Sequence, residues 1–100
     1  MQEVLGQVPG GSITEEVMVR GQITGSAVIE RGAHLLLLGQ VTENLFIEDG
    51  GSAEVLGMVC GDVVNRGKLE LSGVVIGVLR DESGDSAIDE KARIGHEPSS

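Results

Sequence analysis

The sequence predicts an all-β chain, a single-domain parallel β-helix (β-solenoid) of about four to five short rungs. Three observations carry this. Residues 17–32 (VMVRGQITGSAVIERG) lie without a gap on residues 35–50 (LLLLGQVTENLFIEDG) at an offset of 18. Gly21, Gln22, Thr24, Ile29, Glu30 and Gly32 thus recur as Gly39, Gln40, Thr42, Ile47, Glu48 and Gly50. Within each copy apolar residues alternate with polar ones, the period of a strand with one buried face. The composition holds one Phe and no Trp or Tyr, too little aromatic mass for an ordinary globular core. Stacked Val, Ile and Leu need none, because identical shapes nest from rung to rung.

The elements follow in order. Glu3-Val4-Leu5-Gly6-Gln7-Val8 matches Glu54-Val55-Leu56-Gly57-Met58-Val59 and predicts an initial partial rung. In the first clear unit Val17, Val19, Ile23, Ala27 and Ile29 share one parity; in the second Leu35, Leu37, Val41, Leu45 and Ile47 do. Looser copies supply Val55, Val59 and Val63, then Leu69, Leu71, Val75 and Leu79. Glycine recurs where the chain must corner, at Gly21, Gly39, Gly57 and Gly73 and again at Gly32, Gly50 and Gly67, where it permits positive φ or close backbone approach. Arg80–Ser86 reads as a longer loop. Ile88-Asp89-Glu90-Lys91-Ala92 echoes Ile29-Glu30-Arg31-Gly32-Ala33 and predicts a final rung. The solenoid domain is therefore drawn over 1–95, with its clearest rungs at 13–80, a less regular final rung at 81–95 and a disordered tail at 96–100. Such a stack makes a rod about 20–25 Å long.

Stacking also predicts outer columns. Arg31, Asp49 and Arg66 form one of alternating sign, and Glu30, Glu48, Asn65 and Asp89 its neighbour. The corner near Asn65 is read as one residue shorter than the others; an inward Asn65 would need a hydrogen-bond partner. Val28, Phe46 and Val64 stack as an apolar outer stripe, with Met58, Val74 and Ile76 making the later rungs apolar outside. Leu36, Leu38 and Leu56 add to this exposed apolar surface, a pattern that marks interfaces. Phe46 is the best single anchor.

Catalytic chemistry is not visible. His34 and His96 are the only histidines, too few for a histidine-based metal site; both are read as solvated. Counting from Asp81, an EF-hand loop would need Gly at Ser86 and Glu at Ala92, so that pattern fails. Cys60 stands alone, on the outward parity with Thr24, Thr42 and Ile76, and has no basic neighbour to activate it. No cofactor, metal or catalytic residue is expected. A net charge of −9 with seven Lys and Arg argues against nucleic acid. The N-terminal residues lack the pattern of a signal peptide, and Leu35–Leu38 is too short to span a bilayer, so a cytoplasmic protein is expected.

Units of the form carried by Gly21-Gln22-Ile23, Gly39-Gln40-Val41, Gly57-Met58-Val59 and Ile47-Glu48-Asp49-Gly50 resemble the bactofilin family of polymer-forming bacterial cytoskeletal proteins. The resemblance covers roughly residues 13–78. It implies a right-handed parallel β-helix with three short sheets that needs no nucleotide and joins end to end into filaments. The rung chemistry is also similar to that of hexapeptide-repeat helices, whose enzymes need strict six-residue spacing and site histidines that this chain lacks. Two functions follow as expectations. The first is a non-enzymatic, self-assembling scaffold whose partner is a second copy, joined through terminal rungs with the Val28/Phe46/Val64 stripe as a lateral contact. The alternative is a small acidic inhibitor of the immunity or antitoxin type, whose Glu30, Glu48 and neighbouring acids face a basic protein.

Overall fold

The computed structural model describes residues 2–82, 86–90 and 92–96. All regular structure among them is β. A first partial turn holds β1 (Gln2–Val4) and β2 (Gln7–Ile13), and the second turn β3 (Glu16–Val19) and β4 (Gln22–Ile29). The third holds β5 (His34–Leu37), β6 (Gln40–Val41) and β7 (Leu45–Ile47); the fourth β8 (Ser52–Val55), β9 (Met58–Val59) and β10 (Val63–Asn65). β11 (Lys68–Leu71) and β12 (Val74–Asp81) form the fifth, and β13 (Ser86–Ile88) and β14 (Arg93–His96) lie beyond it. Every pairing joins one turn to its neighbour, and all are parallel. The chain is a β-solenoid of about five turns.

Three ladders run along the molecule. The first face stacks β1, β3, β5, β8, β11 and β13. The second takes the front halves of β2, β4 and β12 with β6, β9 and β14, and the third their rear halves with β7 and β10. The offset of 18 is the true register over turns two to four: Glu16 pairs with His34, His34 with Ser52, Ala27 with Leu45 and Leu45 with Val63.

Five inward columns make the core. Two read Val4-Val19-Leu37-Val55-Leu71-Ile88 and Val8-Ile23-Val41-Val59-Val75 down the register. Leu35, Leu37, Val41, Leu45, Ile47, Val55, Val59 and Val63 are wholly buried, as the parity of the sequence requires. Each buried aliphatic side chain contributes about 1.5–3 kcal/mol.

Glycine has two separate duties at the corners. At Gly21, Gly39, Gly57 and Gly73 φ is not positive; the reason for glycine is the turn below. A Cβ on Gly39 would strike the Gly21 carbonyl oxygen, and one on Gly57 the Gly39 carbonyl oxygen. At Gly32 and Gly50 φ is +83° and +85°, so there the left-handed conformation decides.

The corner near Asn65 departs from the sequence reading. From Ile47 to Ser52 the chain takes five steps, but from Asn65 to Lys68, the residues stacked on them, it takes three. The corner is two residues shorter. Gly67 consequently lies over Gly51 and not over Gly50, and Arg66 leaves the column expected for Arg31 and Asp49. Asn65 stands in register with Ile29 and Ile47 and is buried. It points inward, so it is not part of the Glu30 and Glu48 column. Ile88 also moves: it stacks on Leu71 in the first face, and the Asp89 amide bonds to Leu71. The echo of Ile29–Ala33 therefore misplaced this segment by one face, and Asp89 too leaves the Glu30 and Glu48 column. Arg80 and Asp81 end β12, and Ser86 opens β13, which trims the expected loop. Residues 83–85, with Lys91 and tail residues 97–100, lie outside the described residues, while His96 closes β14.

Candidate interaction surfaces

The two ends of the solenoid differ. At the N-terminal end Val4, Val8 and Ile13 begin core columns, and Val17 lies one turn further in, in register with Gln2; all four are half-buried. They line an apolar depression of ≈ 100 Å³ rimmed by Gly10 and Ser12. Among the described residues β1 and β2 have no partner on this side. The edge is not uniform, though. In the column Pro9, Thr24, Thr42, Cys60, the Thr42 amide donates to Ile23 and the Cys60 amide to Val41, each one turn back. Pro9 opens that column, pairing with Thr24, and has no N–H to offer.

Towards the C-terminal end one core column turns polar, reading Ile13-Ile29-Ile47-Asn65-Asp81. The Asn65 amide Nδ2 donates to Ser86 Oγ at 2.9 Å and to Asp81 Oδ1 at 3.4 Å. Its Oδ1 accepts the Gly67 N–H at 3.1 Å. That last bond closes the shortened corner, a task done by backbone carbonyls in the two preceding turns, where Ala33 N–H bonds to Glu30 and Gly51 N–H to Glu48. Ile88, atop its column, is 50% exposed, whereas Leu71 beneath it, and Val75 and Leu79 in other core columns, are buried.

On the third face Val28, Phe46 and Val64 do stack in one outward column, continued by Ser12 before and Arg80 after. All three are half-buried. The column beside them is Glu30, Glu48, Arg66 and Glu82 in register. Arg66 Nε bonds to Glu82 at 2.8 Å. This hydrogen bond, the charge of Glu82 and then that of Glu48 raise the Arg66 pKa further above its already high ordinary value. On the other flank a side-chain ladder climbs the corner. Ser26 Oγ accepts the Asn44 N–H, Asn44 Oδ1 the Asp62 N–H and Asp62 Oδ1 the Val78 N–H. Sequence reading missed this ladder, although Ser26, Asn44 and Asp62 are spaced by the same 18 residues.

The first face is acidic. Glu3, Met18, Leu36, Glu54 and Glu70 share one outward column, with Arg20 ion-paired to Glu3. Leu38 and Leu56 sit exposed at its corner, at 37% and 49%, while Leu36 is half-buried. His34, read from the sequence as solvated, lies within β5 and is half-buried, with Nδ1 2.6 Å from Ser52 Oγ and Nε2 3.9 Å from Glu54. The shortened corner leaves a notch of ≈ 450 Å³ between Asp49, Ser52, Arg66 and Lys68. The second face carries Gln7, Gln22, Gln40, Met58 and Val74 in one outward column. The Pro9 column, with half-buried Cys60 and then Ile76 (53% exposed), makes the other.

No group of three or more His, Cys, Asp or Glu among the described residues could hold a metal ion. No helix among them is long and apolar enough to cross a membrane. No family model, curated protein or solved structure matches the chain. What its geometry offers is surface: one apolar end and three outward faces of different charge.

Proposed function

We propose that the chain is a non-enzymatic interaction module that assembles with copies of itself through its N-terminal end, a short scaffold of the bactofilin type. The observation that supports this reading is the half-buried mouth of Val4, Val8, Ile13 and Val17, backed by unpaired strands. Completing the burial of four half-covered aliphatic side chains is worth about 1 kcal/mol each. About 4 kcal/mol does not meet the cost of association, so backbone pairing along β1 must add to it. Pro9 removes one donor from β2, which leaves side-chain packing and β1 as the joining elements.

Light scattering behind a sizing column, over a hundred-fold range of protein concentration, tests this. Mass should rise with concentration in the wild type, and Val8→Arg, which sets a charge in the mouth, should stop the growth. A wild-type mass that stays monomeric throughout overturns self-assembly. Val8→Arg that still grows like the wild type moves the joining surface elsewhere.

A further inference from the structure

A chain of net charge −9 meets its own copy against like-charge repulsion wherever its surface is acidic. The first face presents Glu3, Glu16, Glu54 and Glu70. The third has its Phe46 stripe flanked by Glu30, Glu48, Glu82 and Asp62. The second face is different in kind. Its two outward columns carry no charged residue from the first turn to the fifth; the next position in register is Arg93, paired with Val74. Its later half is also apolar, with Met58, Cys60, Val74 and Ile76 adjacent over two turns.

We infer that this half of the second face is a lateral contact between two copies of the chain, side by side. Of the three faces this one alone offers two outward columns free of charge; the other two mix carboxylates with Lys68, Arg66 and Arg80, and Glu43 and Asp62 border this one at its corner. The contact is isologous, the same patch on both partners, and centring it on these residues brings the two Cys60 side chains close. Its area is small. The patch covers two turns, which at about 4.8 Å each and about 12 Å wide on this face give roughly 115 Å² per copy, far below the roughly 800 Å² per partner of a stable complex. A single lateral pair is therefore weak. Copies already joined end to end would multiply it through effective concentration. The contact itself does not depend on the N-terminal end.

The test uses the Val8→Arg chain, in which end-to-end growth is blocked, so that failure of this contact and failure of the assembly reading stay distinguishable. Mild oxidation at high protein concentration should trap a Cys60–Cys60 disulfide dimer on a non-reducing gel. Ile76→Glu should slow trapping by at least about tenfold, as like charges across a two-fold contact require. Phe46→Glu, on the third face, should leave it unchanged. Equal trapping rates in all three chains mean random collision and overturn the proposal. Because Cys60 is half-buried, sedimentation of the unoxidised Val8→Arg chain supplies an independent reading: a weak monomer–dimer equilibrium lost in Ile76→Glu supports the contact. A strict monomer up to millimolar concentration, with no disulfide trapped, overturns it.

Discussion

At the residue scale, glycine and asparagine show how stacking constrains a side chain through its neighbour one turn away. Gly39 and Gly32 look alike in sequence but resist alanine for different reasons. At Gly32 a Cβ meets nothing within 4 Å, and only the φ of +83° opposes it, a cost of about 1–2 kcal/mol. At Gly39 it meets a carbonyl oxygen fixed in the ladder below, so two turns must separate, at about 3 kcal/mol or more. Denaturant titration should show Gly39→Ala as the clearly less stable of the two; the reverse order would mean that conformation, not contact, selects glycine there. Asn65→Ile would complete the column of Ile13, Ile29 and Ile47, so by hydrophobicity alone it should stabilise. The structure gives the opposite sign. Without the Asn65 carbonyl the Gly67 N–H loses its acceptor, and Ser86 loses its donor, at about 1–3 kcal/mol. An unfolding midpoint raised by Asn65→Ile would show that the corner finds another way to close. Parity made the core legible in the sequence, since it depends on each residue alone. Asn65 obeys the same parity, 18 residues after Ile47; the sequence reading misplaces it because the shortened corner after it shifts every following residue in the alignment.

At the element scale, a strand of two residues such as β6 or β9 has little stability of its own and exists because the turns on either side hold it. The Ser26, Asn44 and Asp62 ladder does part of this, tying the third face at one corner across three successive steps. Asp62→Ala removes the acceptor for Val78 N–H and should cost about 1 kcal/mol. Asp62→Asn should cost little, because Asn44 makes the same bond one turn earlier with an amide oxygen. Thermal unfolding of the two variants checks this; equal losses would mean that the carboxylate charge, not the bond, matters. The repeat offset showed which residues stack, and the Val28, Phe46 and Val64 column was visible for that reason. It did not show which polar residues turn back to the backbone, nor that Ile88 belongs to the first face. Those outcomes depend on corner length, which varies between turns as the strands do not.

At the scale of the whole molecule, charge and end chemistry pull in opposite directions. Each copy carries −9, and Glu3, Glu15 and Glu16 lie close to the N-terminal mouth where copies would join. Salt shortens the reach of that repulsion from about 10 Å at 0.1 M to about 3 Å at 1 M, while burial of Val4, Val8, Ile13 and Val17 is not weakened by it. Assembly should therefore begin at lower protein concentration as sodium chloride rises, a trend that light scattering reads directly. Pro9→Ala should act in the same direction at fixed salt, because it returns the missing donor to the edge of β2. Binding to a basic partner through the acidic corners would respond the other way, losing affinity as salt screens the attraction. If salt disperses the particles and Pro9→Ala changes nothing, the joining surface is ionic, and the apolar mouth is not where copies meet.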